Sequence, residues 1–146
     1  MATSRPVLEK KFFTAAQANA TLPLVRAIVQ DICELARDLR ERKSRLERVQ
    51  PPKGTSLAEA YQEEMRQAVT DFERDQDRLG EYQQELENLG VELKDAFTGL
   101  LDFPCWMENR EVYLCWRLGE PEVGHWHELE AGFSGRQKLT NRISDN

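Results

Sequence analysis

The sequence predicts an α+β fold: a long antiparallel two-helix hairpin, coiled-coil-like, followed by a small three-stranded antiparallel β-sheet. Up to Gly90, apolar residues recur at alternating steps of three and four, which is the period of a helical seam. After Gly90 the period becomes two, which is typical of strands. The 146 residues suffice for a single domain. We expect the hairpin over 12–90, the sheet region over 91–137 and flexible tails at 1–11 and 138–146.

The first helix has a clear start signal. Thr14 and Gln17 form the Thr-x-x-Gln pattern of a capping box, which predicts a short helical turn from Thr14. Pro23 is expected to restart the helix, because proline fits a first helical turn. A turn over 50–54 is predicted from its two prolines and its glycine. The seam between these points consists of Ile28, Ile32, Leu35, Leu39, Leu46 and Val49.

The second helix is predicted to begin near Thr55 and Ser56, with Glu59 completing another capping box. Gly90 is expected to end it in the left-handed conformation. Its seam is more regular than the first and consists of Tyr61, Met65, Ala68, Phe72, Leu79, Tyr82, Leu86 and Leu89.

Each seam has one polar interruption, Arg42 in the first helix and Asp75 in the second. Folding the chain about a turn near Lys53 places Arg42 beside Met65 and Asp75 beside Cys33. We therefore expect that the two charged residues do not meet. The stem of Arg42 would then lie along the seam with its charge in water, and Asp75 would reach solvent or the sheet. The alternative is that such a polar residue sets the helix register or the oligomeric state.

Three strands are predicted in the remaining chain. The first, over 99–103, is expected to end at Pro104. Residues 111–118 form the strongest strand pattern, and 123–128 follow after a turn. If Leu118 paired with Val123, both histidines would lie on the apolar face. A slip of one residue buries Trp126 instead, which is favoured because burying an indole releases more free energy.

This register predicts a polar sheet face with Tyr113, Cys115, Arg117, His125 and His127, and with Arg136 in a nearby glycine-rich loop. Three kinds of site are compatible with it. The two histidines could hold a metal with Cys115 or Glu128, and Cys115 beside a histidine could be a nucleophile–base pair. The two arginines and the backbone amides of 132–135 could bind an anion. We favour a fourth interpretation, a polar face covered by the helices or by a second subunit, with its hydrogen bonds satisfied internally.

No cofactor or metal is expected, since the histidine spacing matches no zinc-module pattern. The metal candidates are His125 and His127, with Cys115 or Glu128 as further ligands. The net charge of −6 and the pI near 5.1 argue against nucleic acid or an anionic membrane as partner. Three cysteines without paired spacing, and no apolar run long enough for a membrane span, predict a cytoplasmic protein.

Three blocks of sequence are distinctive in combination: Phe13-Thr14 with Ala18-Asn19 and 22–25; 90–95 with 99–104; and 114–120 with 126–128 and 132–136. Together they resemble the bacterial family called domain of unknown function 2203, over nearly the whole chain. The resemblance supplies no activity. Because His127 fits the last block better than His125 does, it shifts weight from a two-histidine metal site to His127.

Two functions are predicted. The first is a non-enzymatic interaction or scaffold protein that acts through its hairpin, as a homodimer or with a protein partner. A two-helix hairpin buries only one face of each helix. Further apolar surface along the helices would therefore stay exposed unless a partner covered it. The second is a small anionic-ligand-binding or catalytic site around Arg117, His127, Glu128 and Arg136. We favour the first.

Overall fold

In the computed structural model, which describes residues 10–140, two helices are followed by a five-stranded antiparallel sheet. The strands lie in the sheet in chain order, and the elements are α1 Ala15–Arg48, α2 Thr55–Asn88, β1 Glu92–Asp95, β2 Leu100–Met107, β3 Arg110–Arg117, β4 His125–Glu128 and β5 Gln137–Lys138. The α+β prediction is confirmed, with five strands in place of three. The sequence pattern misses β1 and β5 because both are short and mostly polar.

The start of α1 is the predicted one. Thr14 is the N-cap. Its hydroxyl accepts a hydrogen bond from the Gln17 backbone N–H at 3.1 Å, and Oε1 of Gln17 accepts one from the Thr14 backbone N–H at 3.0 Å. The predicted restart at Pro23 is wrong, since α1 continues through it without a break. An interior proline removes one backbone bond, to the Asn19 carbonyl, and the ring of Pro23 is exposed to solvent.

The predicted capping box of α2 is also wrong. The helix already begins at Thr55, so Gly54 occupies the N-cap position and no side chain caps the helix. Gly54 has φ 108°, a conformation that glycine adopts without a steric penalty. At the other end Gly90 has φ 88°, as expected of a residue that ends a helix in the left-handed conformation.

Arg42 and Asp75 form an ion pair between the helices, with 2.7 Å between Nη1 and Oδ2, so the prediction that they do not meet is wrong. Arg42 lies six residues before the end of α1, whereas Asp75 lies twenty residues after the start of α2. These lengths of helix are about 9 and 30 Å. Residues 49–54 lie outside both helices, and six extended residues can span the difference of about 20 Å. The prediction is wrong because it gives every residue between Arg42 and Asp75 the rise of a helix, including residues 49–54.

The core lies between one face of the sheet and the first half of α1. Alternate residues of β2 and β3 point toward the helix, as the period of two requires. The buried residues of this layer are Leu101, Phe103, Cys105, Met107, Val112, Leu114, Trp116 and Trp126 from the strands, with Phe13, Leu22, Val25, Val29 and Ile32 from the helical side. The opposite side of the sheet is called the polar face below.

The strand predicted to end at Pro104 continues to Met107. Proline is tolerated there because β1 pairs with β2 only as far as Asp102, so beyond that point one side of β2 has no neighbouring strand. The Pro104 carbonyl instead accepts the Phe13 backbone N–H at 2.7 Å.

The predicted tails lie mostly outside the described residues, at 1–9 and 141–146. At the second boundary Lys138 belongs to β5, and the Leu139 backbone N–H donates to the Gly124 carbonyl at 2.9 Å. The sheet therefore extends slightly past the predicted limit of 137. In the range 10–140, neither helix is apolar enough over a sufficient length to cross a bilayer.

Candidate functional site

The pairing of β3 with β4 places both histidines on the polar face. Tyr113 lies opposite His127 and Cys115 opposite His125, while Leu114 pairs with Trp126 on the core side. This is the predicted register. The indole of Trp126 is buried and neither histidine packs into the apolar core, in agreement with the burial argument.

His127 is buried and makes two hydrogen bonds. Its Nδ1 donates to the Glu128 backbone carbonyl at 2.7 Å, and its Nε2 lies 2.9 Å from Oδ1 of Asp102. Asp102 reaches it from β2, across the intervening strand β3. Burial raises the pKa of Asp102 above its ordinary value, although the hydrogen bond with His127 acts in the opposite direction.

Cys115 lies directly opposite Asp102 in the β2–β3 register and is fully buried. Burial and the negative charge of Asp102 raise the pKa of the thiol to about 12. A thiol in this state is a poor nucleophile at neutral pH. The neighbouring Tyr113 hydroxyl donates to the Glu92 carboxylate at 3.0 Å, and burial together with Glu92 raises the pKa of Tyr113 to about 12.

Arg136 and His125 form a second group at the end of the polar face. The Arg136 Nη2 donates to the Glu120 carboxylate at 2.7 Å and to Nδ1 of His125 at 2.6 Å. A nitrogen that accepts from a guanidinium is unprotonated, so His125 is neutral here. Burial and the charge of Arg136 lower the pKa of His125, which agrees with this assignment.

The structure divides the four residues predicted to form one site. Arg117 is exposed and shares the ring of Phe133 with Arg136, the guanidinium carbons lying 4.9 and 4.7 Å from its centroid. Glu128 pairs with Val112 on the core side of the sheet, where its carboxylate contacts Arg110. Only the backbone of Glu128 reaches His127.

The glycine-rich loop offers fewer free amides than predicted. The backbone N–H of Gly135 donates to the Gly132 carbonyl at 3.1 Å, and that of Arg136 to the Phe133 carbonyl at 3.2 Å. Both close a single turn of 3-10 helix. These two donors are therefore not directed at an anion.

Sequence reasoning missed three acidic residues of the polar face: Glu92, Asp102 and Glu120. One signal for Asp102 was present, since it stands between Leu101 and Phe103, and alternation assigns it to the face opposite theirs. Nothing in the local pattern shows that His127 lies within reach of it, because the two residues belong to strands separated by β3.

Comparison of the chain with known families matches it to the family described as "Uncharacterized conserved protein (DUF2203)", over residues 11–139. The chain belongs to this family. The resemblance seen in the sequence blocks is thus confirmed. Comparison with curated proteins and with solved structures gives no significant match.

The chemistry that the polar face of this family member offers is metal ligation. Among the described residues, one group of three potential metal ligands lies close together: Asp102, Cys115 and His127. The pair of histidines considered from the sequence does not form such a group: His125 lies outside it, and its Nδ1 accepts from Arg136.

Proposed function

We propose that this protein is a non-enzymatic interaction protein, and that its two helices form a coiled-coil-like hairpin that pairs two copies of the chain. The observation that carries the proposal is the unequal reach of the helices. Because Arg42 lies opposite Asp75, the last residue of α1, Arg48, lies opposite a residue near Val69. The segment 55–68 of α2, called the overhang below, therefore extends past α1.

An apolar stripe follows the overhang. Leu57, Tyr61, Met65 and Ala68 recur at steps of four, four and three, which places them along one side of a helix. Leu57 is 60% exposed, and the other three are half-buried. A stripe of this kind without a facing helix is typical of an interface, since burying it on a partner releases about 25 cal/mol per Å² of apolar surface.

The charges around the stripe favour a second copy of this chain as the partner. Residues 40–53 carry six basic and two acidic side chains, a net charge of +4. Residues 56–71 carry four acidic side chains and one basic, a net charge of −3. In a two-fold symmetric dimer, the acidic overhang of one copy can lie on the basic residues 40–53 of its partner. The symmetry then repeats the same contact with the two copies exchanged.

Charge reversal tests this arrangement. A variant with Glu59→Lys, Glu63→Lys and Glu64→Lys has two basic surfaces, and one with Lys43→Glu, Arg45→Glu and Arg48→Glu has two acidic surfaces. Size-exclusion chromatography with light scattering should show a dimer for the natural sequence and a monomer for each variant alone. An equimolar mixture of the variants should form a heterodimer, because both contacts are again complementary.

The matched control reverses three exposed acids outside the overhang, Glu108, Glu122 and Glu130, and should remain dimeric. A monomeric natural protein at 100 μM, or variants that still dimerise alone, would overturn the proposal. Circular dichroism of every variant should show that the helices are intact.

The second predicted function, an anionic-ligand or catalytic site, stays a prediction. Its residues Arg117, His127, Glu128 and Arg136 are divided among three locations, and Arg136 is already paired with Glu120. We therefore propose no second function.

A further inference from the structure

Three side chains from three neighbouring strands converge beneath the polar face: Asp102 of β2, Cys115 of β3 and His127 of β4. One potential ligand atom from each lies within 4.8 Å of the other two. All three residues are buried, with relative exposures of 3%, 0% and 2%. Burying ionisable groups is costly unless they are paired, and Asp102 and His127 pair with each other at 2.9 Å.

The hydrogen bonds of His127 orient it toward the cluster. A carbonyl oxygen can only accept, so the 2.7 Å contact with the Glu128 carbonyl fixes a proton on Nδ1. The other nitrogen, Nε2, is then the one that can offer a lone pair, and it faces Oδ1 of Asp102 at 2.9 Å. A backbone carbonyl that holds one imidazole nitrogen while the other faces the ligand cluster is the usual support of a metal-binding histidine.

The ligand set balances the charge of a divalent cation. Bound to a metal, Asp102 is a carboxylate, Cys115 a thiolate and His127 a neutral imidazole, so the three side chains carry a net charge of −2. A divalent ion neutralises this charge, and the proton that the Cys115 thiol gives up leaves for solvent.

From this geometry we propose that Asp102, Cys115 and His127 form a binding site for a divalent transition-metal ion, zinc by its ligand set. Nitrogen, sulfur and oxygen donors together are typical of Zn²⁺, whereas Mg²⁺ and Ca²⁺ select oxygen alone. The ion joins β2, β3 and β4 on the side of the sheet that lacks the helices. Because Zn²⁺ is usually four-coordinate, three protein ligands would leave one position for a water molecule or a further group. The site does not depend on the proposed dimer.

Two positive charges act on the cluster and would repel a cation, Arg136 at Cys115 and Lys94 at Asp102. Lys94 is paired with Glu92 at 2.9 Å. Arg136 is itself paired with Glu120 at 2.7 Å, so the two side chains together are neutral. The neighbourhood therefore does not oppose a bound cation.

Cobalt and zinc titrations of the full-length protein, after chelator treatment, test the site directly. Co²⁺ should bind at one ion per chain and produce a thiolate-to-cobalt charge-transfer band in the near ultraviolet. Zn²⁺ should displace it and raise the melting temperature, because it binds the folded state. Calorimetry of Zn²⁺ binding in buffers of different ionisation enthalpy should show at least one proton released per ion, from the Cys115 thiol.

Variants locate the ligands. Cys115→Ala should abolish the charge-transfer band, and His127→Gln should reduce the affinity for Zn²⁺ at least 100-fold. Cys105→Ala and His125→Gln should retain both properties, since Cys105 lies on the core side and His125 outside the cluster. A folded natural protein that binds no stoichiometric ion, or an unchanged band in Cys115→Ala, would overturn the proposal even if another variant failed to fold.

Discussion

Gly99 shows how closely the sheet and α1 approach each other. Its φ is +72°, and a Cβ placed on it would lie 2.7 Å from the Leu118 Cβ and 2.8 Å from Cγ1 of Val29. Real Cβ atoms do not come so near, so any other residue requires both neighbours to move. The backbone also participates, since the Gly99 carbonyl accepts the Leu118 N–H at 3.0 Å.

We predict that Gly99→Ala lowers the free energy of unfolding by about 2–5 kcal/mol, the sum of left-handed backbone strain and overpacking. Gly119→Ala is the matched control, because Gly119 also has a positive φ of 106° but a Cβ there would meet no heavy atom within 4 Å. That variant should lose only about 1–2 kcal/mol. Urea denaturation of both variants measures the difference, and equal losses would contradict the close packing described at Gly99.

The two histidines and Asp102 show what single residues reveal in a sequence. The side of the sheet on which His125 and His127 lie could be predicted from one comparison. Burying the indole of Trp126 releases more free energy than burying an imidazole does. The position of Asp102 could not be derived in this way. Its contact with His127 depends on the order of the strands, and that order is fixed by packing over the whole sheet rather than by local pattern.

At the scale of elements, the connection between the helices determines which residues face each other. The heptad pattern identified both helices and their polar interruptions, but it carries no information on the length of an extended connection. For that reason Arg42 and Asp75 were each expected to interrupt the seam alone. Their ion pair instead connects the helices near the last buried residue of the first seam, Leu39.

The ion pair predicts a dependence of stability on pH. Hydrogen bonds from Arg42 and Arg78 hold the pKa of Asp75 below its ordinary value of 3.8. A carboxylate with a lowered pKa in the folded state stabilises the protein above its ordinary pKa, and this contribution is lost as the pH falls through the folded pKa.

Asp75→Asn should therefore lower the melting temperature at pH 7, and the difference from the natural sequence should shrink steadily below about pH 4. Asp77→Asn, which changes an exposed residue on the same helix, serves as the control and should have little effect at any pH. Melting curves between pH 2 and 7 test this, and a difference that is independent of pH would exclude the ion pair as its cause.

Pro23 offers a second test at this scale. It stands in the interior of α1 and cannot donate to the Asn19 carbonyl, yet the helix continues. Pro23→Ala restores this bond, and we predict a gain of about 2 kcal/mol after the greater entropy of the unfolded chain is included. Leu24→Ala, at a neighbouring exposed position, should change stability by less than about 0.5 kcal/mol. Destabilisation by Pro23→Ala would show that the helix needs the local geometry of proline to pack on the sheet.

At the scale of the molecule, burial is concentrated at one end. The buried residues of α1 run from Ala15 to Leu39, and among the α2 side chains that the structure describes only Asp75 and Leu86 are buried. The sheet and the halves of the helices next to it thus form the core. The halves next to the connection at 49–54 add apolar surface that the same chain leaves partly uncovered. This distribution joins the fold to the proposed function, because a second copy would cover the overhang without disturbing the core.

If two chains associate through the overhang, stability must depend on protein concentration. Mass action adds about 2.7 kcal/mol per dimer for a hundredfold increase in concentration, which corresponds to a rise in melting temperature of about 4 °C for two chains of this length. The natural protein should show this rise between 1 and 100 μM. The variant with Glu59→Lys, Glu63→Lys and Glu64→Lys should have the same melting temperature at both concentrations. Its overhang is basic and repels the basic residues 40–53 of a second copy. Identical, concentration-independent melting of both proteins would mean that the helices end in a free tip and do not pair two chains.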